Sequence, residues 1–291
     1  MKLSDFYKNI VRFGAEIDPR GKSAVTEFQD TAILHGNPDT PVNKLMVGID
    51  IEIGEIMLAE RLREREGLDL VLSHHPEGKA YASLYKVMDL QVNLLVKAGL
   101  PKKLAREMLM ERQHEVERRL MSANHTRSSD AAKILDIPFI CAHTPADNHV
   151  SHYLGRLFKE KKPKKVSDVI DILMEIPEYK LACEVNAGPK IIIGSPNRKT
   201  GEIFMEMTGG TEGSSKAYDK LYKKGTRTLI GMHLSEDHFK KIRDMNLNVV
   251  IAGHISSDTL GLNLLLDKIE KSSGEKFNVI NCAGFNRIKR I

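Results

Sequence analysis

Several residue types are scarce in this sequence, and the scarcity of cysteine argues against one class of protein. The 291 residues include no tryptophan, three cysteines and only 5% aromatic residues. Cys141, Cys183 and Cys282 lie far apart without a CxxC pair, which argues against a disulfide framework and favours free thiols in a reducing compartment. We therefore expect a cytoplasmic protein. No stretch approaches the roughly 18 uncharged apolar residues of a membrane span, so we expect no membrane association.

Charge and short motifs exclude further functions. The 44 Lys and Arg residues outnumber the 39 Asp and Glu residues by only five, and the two signs are interleaved, so the sequence gives no strong nucleic-acid signal. The N-terminal segment MKLSDFYKNIVRF carries charges throughout and is predicted to be an amphipathic helix rather than a secretory signal. The sequence contains no GxGxxG, GxxxxGK[ST] or GxSxG motif, which argues against a nucleotide-binding loop and a serine nucleophile.

Strand and helix patterns alternate along the chain, which is typical of an α/β protein built on largely parallel strands. Four short apolar runs have the length of buried strands, and each ends next to a histidine. The runs are LDLVLS before His74 and His75, IPFICA before His143, TRTLIGM before His233, and LNVVIAG before His254. Because ligands of open α/β sheets bind at the carboxyl ends of the strands, these histidines are the leading site candidates.

The domain organisation is predicted from two charged segments. The segment Lys159–Lys165, KEKKPKK, is the best linker candidate because it is basic, contains proline and has almost no apolar residues. We therefore predict a first α/β lobe over residues 1–158 and a second over residues 159–291, with a C-terminal strand that is a candidate for return to the first lobe. A charged helix at about residues 101–123 is predicted as an excursion from the first lobe. Its apolar stripe needs a cover, and we therefore expect a homo-oligomer.

Carboxylates follow the strand-end histidines at helical spacing. Asp147 lies four residues after His143, and Asp258 lies four residues after His254. Residues three or four apart share one face of a helix, so each pair can converge on one point. Imidazole nitrogens combined with carboxylate oxygens suit first-row divalent metals such as Zn, Mn, Fe or Ni. We predict as metal ligands His74, His75, Asp147, His254 and Asp258.

Two metal ions are expected rather than one. His74 and His75 are adjacent in sequence, and successive side chains of an extended strand point to opposite faces. The two rings are therefore expected to bind different ions, and a carboxylate that bridges these ions would complete a two-metal site of the kind that activates water for hydrolysis. His143 is predicted to orient a ligand or the water without binding metal itself.

The ordered motifs DLVLSHHP, AHTPAD and GHISSD resemble those of the NIF-three-like family, also called GTP cyclohydrolase I type 2 homologues. The resemblance implies two α/β lobes that face each other across a cleft, a pair of divalent metals in that cleft, and a ring-shaped hexamer. It matches the family's HHP, HTxxD and GHxxxE motifs to His74, His75, Asp147 and His254. The family usually has glutamate where this chain has Asp258, so the bridging acid is left open between Asp258 and Glu236.

Two functions fit this pattern. The first is a metal-dependent hydrolase that acts on a small phosphorylated or nucleotide-like substrate. The second is a metal-binding regulatory or adaptor protein without catalytic activity, which the lack of a recognisable nucleophile or phosphate loop keeps open. An open coordination position on the metal would favour the first, because structural sites are closed by protein ligands.

Overall fold

The computed structural model describes residues Met1–Arg290, and within this range the chain forms nine strands and thirteen α-helices. A short 3₁₀ turn covers Lys22–Ala24. The strands are β1 (Thr31–His35), β2 (Lys44–Gly48), β3 (Leu70–Ser73), β4 (Phe139–Ala142), β5 (Lys190–Ile193), β6 (Glu202–Glu206), β7 (Thr226–Gly231), β8 (Asn248–Ile251) and β9 (Asn278–Asn281).

The helices occupy most of the chain between the strands. They are α1 (Leu3–Glu16), α2 (Ile53–Glu66), α3 (Gly78–Ala82), α4 (Leu84–Val87), α5 (Asp89–Lys97), α6 (Lys102–Met121), α7 (Arg127–Ile134), α8 (Thr144–Lys161), α9 (Val166–Leu173), α10 (Pro177–Glu184), α11 (Ala217–Lys223), α12 (Glu236–Ile242) and α13 (His254–Ser273).

The strands form two mixed sheets. The first has the order β1-β4-β3-β2-β9, in which only β1 is antiparallel to its neighbour. The second has the order β5-β8-β7-β6, in which only β5 is antiparallel. Parallel pairing dominates because most strands are followed by a helix that returns the chain to the same end of the sheet. The predicted α/β class is confirmed.

The chain divides into two compact units, each assembled from separate stretches. The first comprises residues 1–87, 116–149 and 258–291, and the second comprises residues 88–115 and 150–257. This division differs from a single boundary near residue 159. The segment Lys159–Lys165 lies wholly inside the second unit, and β9 pairs with β2 in the first sheet. The stretch from Ser83 to Ala98, which has helical periodicity, is divided into α4 and α5 where the chain passes from one unit to the other.

The core of the first unit lies between its sheet and two helices. Val71 and Phe139 from the sheet pack with Ile56 of α2 and Ala132 of α7, and all four are buried. Helix α2 begins where the Glu55 carboxylate accepts a hydrogen bond from the Glu52 amide at 2.9 Å, an arrangement that satisfies a donor left open at a helix start. This packing fixes the strands that carry the candidate site.

Helix α6 does not leave an uncovered apolar stripe. Of the five residues of the stripe, Leu104 is half-buried, and Met108, Leu109, Val116 and Leu120 are all less than 8% exposed within the chain. The prediction that this stripe needs a partner subunit was wrong, because the chain itself covers it. The cysteines are free in the structure, but Cys183 is exposed while Cys141 is buried. Among the described residues, no helix is both long and apolar enough to cross a membrane.

Candidate metal centre

Three histidines lie at the carboxyl ends of two neighbouring parallel strands. Strand β3 ends one residue before His74, and β4 ends one residue before His143. Because β3 and β4 pair in parallel, both ends fall on the same edge of the first sheet. The rings of His74 and His143 lie 4.9 Å apart between centroids, and those of His74 and His75 lie 5.3 Å apart. The predicted position of these histidines at strand ends is confirmed.

His74 lies between two carboxylates. Its Nε2 atom is 3.4 Å from Oδ1 of Asp147 and 3.4 Å from Oδ1 of Asp258. All three side chains are buried. Asp147 projects from the first turn of α8, directly after β4, and Asp258 lies on α13. The two carboxylates therefore reach one imidazole from two different helices of the chain.

His75 is held by a carboxylate on each side. Its Nδ1 atom lies 2.6 Å from Oδ1 of Asp50, and its Nε2 atom lies 3.5 Å from Oδ2 of Asp258. Asp50 follows β2, the neighbour of β3. The contact with Asp50 orients the ring so that Nε2 points toward the group formed by His74, Asp147 and Asp258.

His143 is oriented by Asp30, a residue that no sequence motif marks. Oδ2 of Asp30 lies 2.8 Å from His143 Nδ1 and accepts hydrogen bonds from Thr144 N at 3.2 Å and from Thr144 Oγ1 at 2.6 Å. Asp30 comes directly before β1, and antiparallel pairing places Thr31 opposite Ala142 at the end of β4. The His143 ring therefore donates from Nδ1, and its Nε2 atom lies 3.8 Å from Oδ2 of Asp147.

Burial and charge compete at these groups. Burial lowers the pKa of His74, but the negative charges of Asp258 and Asp147 outweigh it and raise the pKa to about 10. The pKa of His75 is raised to about 9 in the same way, because Asp258 and Asp50 outweigh the effect of burial. Burial also disfavours the charged form of Asp30, but its contacts with His143 and Thr144 hold its pKa below the usual value. The centre therefore favours positive charge between its carboxylates.

The donor set suits a metal ion. One possible ligand atom from each of His74, His75 and His143 lies within 4.8 Å of the others, and the same holds for His74, Asp147 and Asp258. Both ring nitrogens of His74 and Oδ1 of Asp147 are buried and have no hydrogen-bond partner. Buried polar atoms without partners are costly, and a cation would satisfy them. These groups could hold a metal ion.

Two further strand-end histidines belong to the second unit. His254 begins α13 after β8, and His233 follows β7. Their rings pack at 4.9 Å between centroids. Glu236, the alternative bridging acid, is exposed on α12 and lies 3.8 Å from Lys240. Of the five predicted ligands, the structure brings together in the first unit His74, His75, Asp147 and Asp258, and the role of His254 stays a prediction.

The fold is similar to several solved structures over nearly the full length of the chain. A NIF3 superfamily protein from Sphaerobacter thermophilus is 25% identical, with 95% of this chain and 97% of that chain covered and a TM-score of 0.78. Reduced HcgD from Methanocaldococcus jannaschii is 16% identical over 97% of both chains, with a TM-score of 0.59. A third, protein ybgI of unknown function, is 14% identical over 99% of this chain and all of that chain, with a TM-score of 0.56. No family model and no curated protein matches the sequence.

The two mixed sheets and the buried group of histidines and aspartates define an α/β protein with a candidate metal centre. The similarity to the Sphaerobacter protein over nearly the full length of both chains supports a NIF3-like assignment. The resemblance inferred from the three sequence motifs is therefore confirmed. The other two similarities, at lower identity, concern the fold alone.

Proposed function

We propose that the protein binds two divalent metal ions and is a metal-dependent hydrolase that acts on a small phosphorylated or nucleotide-like substrate. The observation that carries the metal part is the buried His74 ring, whose two nitrogens lack hydrogen-bond partners while Asp147 and Asp258 lie 3.4 Å away. Such a ring is costly to bury without a ligand. The proposed ligands are His74, His75, Asp147, His254 and Asp258, and the metal is Zn, Mn, Fe or Ni.

The chain's own residues prepare the site in three ways. Asp30 fixes the proton of His143 on Nδ1 and so presents Nε2 toward Asp147. Asp50 does the same for His75. The burial of the group excludes bulk water, which strengthens every charge interaction within it. A pair of divalent ions bound there would supply a water of lowered pKa and a Lewis acid for the substrate oxygen.

Metal content and turnover test this proposal together. Purified protein is analysed for metals and then assayed with nucleotides and phosphoesters in the presence of Mn, Zn or Fe. We expect bound metal, and turnover that is lost in His75→Ala. The matched control is His35→Ala, because His35 also pairs with an aspartate, Asp136, at 2.8 Å but lies outside the group. Bound metal without turnover of any substrate above the His75→Ala background would refute the hydrolase and leave the non-catalytic adaptor.

The assembly and location are also part of the proposal. The family resemblance is the ground for a homo-oligomer, with a hexamer as the specific expectation, since the chain itself covers the stripe of α6. Light scattering at micromolar concentration that gives a monomer would remove this expectation. The free cysteines favour a cytoplasmic location, because free thiols are typical of reducing compartments. Cell fractionation would test it.

A further inference from the structure

A cavity of about 570 Å³ lies within the second unit, between the start of β5, the end of β8 and the loop after β7. Its volume is in the range that holds small-molecule ligands. His233 and His254 both contribute to its wall. His74, Asp147 and Asp258 do not line this cavity, whereas His254, a proposed metal ligand, does.

The wall of the cavity is largely apolar. Ile192 of β5 is 42% exposed although it is a large aliphatic side chain. Such a side chain gains free energy if a ligand covers it. The other large apolar side chains of the wall come from the loop after β7, from α12 and from β8, and are Met232, Leu234, Phe239 and Ile251. The apolar part of a small molecule, such as an aromatic or heteroaromatic ring, would cover this surface.

The charges at the wall favour an anionic substituent on that ring. Glu236 lies 3.8 Å from Lys240, four residues later on α12, so a cation already accompanies its charge. The ammonium group of Lys190 donates to the carbonyl oxygen of Asn186 at 3.2 Å. Within residues 1–290 it has no carboxylate partner. Lys190 is therefore the charge of the wall that remains available to a ligand.

His233 has a fixed orientation at the wall. Its Nδ1 atom lies 3.7 Å from Oε1 of Glu212, and the same oxygen accepts a hydrogen bond from the Ser235 amide at 2.6 Å. The His233 ring also packs against the ring of His254, with 4.9 Å between the two centroids. Gly253, the residue before His254, also lines the cavity, at a φ of +110°. Only glycine fits at this position without a shift of the backbone, because a Cβ there would lie 2.7 Å from the carbonyl oxygen of Ala187.

We propose that this cavity binds a largely apolar anion, such as a heteroaromatic ring that carries a phosphate or carboxylate group. The ring packs on Ile192 and its apolar neighbours, and the anionic group contacts Lys190. The inference rests on the proposed function in one respect: the bound molecule is the substrate only if His254 is a metal ligand. The binding itself needs no metal and can be tested separately.

Two fluorescent probes test the apolar wall. Anilinonaphthalene sulfonate is an aromatic anion, and phenylnaphthylamine is its uncharged analogue. We expect the purified full-length protein to bind one molecule of the anionic probe, and Ile192→Asn to raise its dissociation constant about tenfold through the loss of apolar contact. Leu181→Asn is the matched control, because Leu181 is also 42% exposed but lies outside the cavity. We expect it to leave binding unchanged.

A lysine substitution tests the anionic part. Lys190→Met should raise the dissociation constant of the sulfonate probe about threefold, the size expected for an exposed ion pair. It should leave the uncharged probe unaffected. Lys180→Met, an exposed lysine on α10 in the same unit, is the control and should change neither constant. Rescue of sulfonate binding by Lys190→Arg would confirm that charge, rather than packing, carries the effect.

The outcomes separate this inference from the metal proposal. The anion-binding cavity would be overturned, whatever the metal content, by either of two results. In the first, Ile192→Asn and Leu181→Asn change the dissociation constant of the sulfonate probe equally. In the second, Lys190→Met changes the dissociation constants of both probes. Normal probe binding in a protein that holds no metal on elemental analysis would support the cavity and refute the metal-dependent hydrolase. If the protein binds metal and the substitutions change probe binding as expected, the result supports both the cavity and the metal proposal.

Discussion

Asp30 and His143 form a buried pair in which the carboxylate and the imidazole Nδ1 atom lie 2.8 Å apart. Asp30 is fully buried and His143 is 6% exposed. The pair fixes which nitrogen of His143 carries the proton, and therefore which nitrogen points at Asp147. Carboxylates that hold histidines in this way set the orientation and basicity of the imidazole in metal sites.

Asp30→Asn should weaken metal binding about 10- to 100-fold, the usual cost of losing such a carboxylate. The substitution removes the charge but keeps one acceptor oxygen for His143 and Thr144, so the fold should hold. The measurement is competition for metal with a chelator of known affinity. Asp136→Asn removes the aspartate of the exposed His35 pair and should have no effect. Unchanged metal affinity in Asp30→Asn would show that Asp30 serves only the fold.

Asp258 can be tested by lengthening or removing its side chain. Asp258→Glu restores the acid that the family usually has at this position and should retain both metals, whereas Asp258→Ala should lose at least one. His254→Ala should also reduce the metal content and remove much of the increase in unfolding temperature that excess metal gives, since a ligand of the native state stabilises it. Metal content and thermal unfolding, with and without chelator, check both. Two tightly held metals in Asp258→Ala would transfer the bridging role to Glu236 or to water.

Gly14 supports the start of helix α8, where Asp147 lies. An added Cβ at Gly14 would lie 2.7 Å from Cβ and 2.8 Å from Cα of Pro145, so Gly14→Ala should lower the free energy of unfolding by about 1–3 kcal/mol through overpacking. Gly54, on α2, has no atom within 4 Å of an added Cβ. Gly54→Ala should instead raise it by up to about 1 kcal/mol, because alanine favours helix. Urea unfolding distinguishes the two, and equal effects would contradict the close contact with Pro145.

Acid stability should depend on Glu212. Burial alone would raise its pKa, but its contacts with His233 and Ser235 lower the pKa from 4.5 to about 2. A carboxyl group with a lowered pKa in the folded state stabilises the fold above its ordinary pKa, and this contribution is lost as the pH falls from 4.5 toward 2. Urea midpoints across this range should fall less steeply in Glu212→Gln. Glu236→Gln, at an exposed glutamate, should follow the unsubstituted protein.

The sequence predicts the strand-end histidines because parallel strands are buried on both faces and so appear as short continuous apolar runs. Adjacent parallel strands bring such residues to one edge, which is why His74, His75 and His143 meet. The i,i+4 spacing likewise places Asp147 near His143, since α8 begins directly after β4. These inferences need only local pattern and the geometry of sheets.

Asp50 follows β2, so the same strand-end argument could have found it, but Asp30 could not be found in this way. Asp30 follows no apolar run that marks a buried strand, and its approach to His143 depends on β1 being antiparallel to β4, which no local pattern specifies. The burial of the α6 stripe was also beyond local reasoning, because periodicity shows that a helix face is apolar but not what covers it. The contact between distant segments decides each case.

Strand β9 gives the first sheet its last member only after residues 278–281 have been synthesised. Until then β2, whose residues Leu45–Gly48 are all buried in the finished structure, is an open edge of the kind that invites pairing with other chains. All residues of the second unit precede Asp258 in sequence and leave the ribosome earlier. Nascent chains that are stalled after Asp258 but before β9 at residues 278–281 should therefore be the most prone to aggregation and the most dependent on chaperones during synthesis.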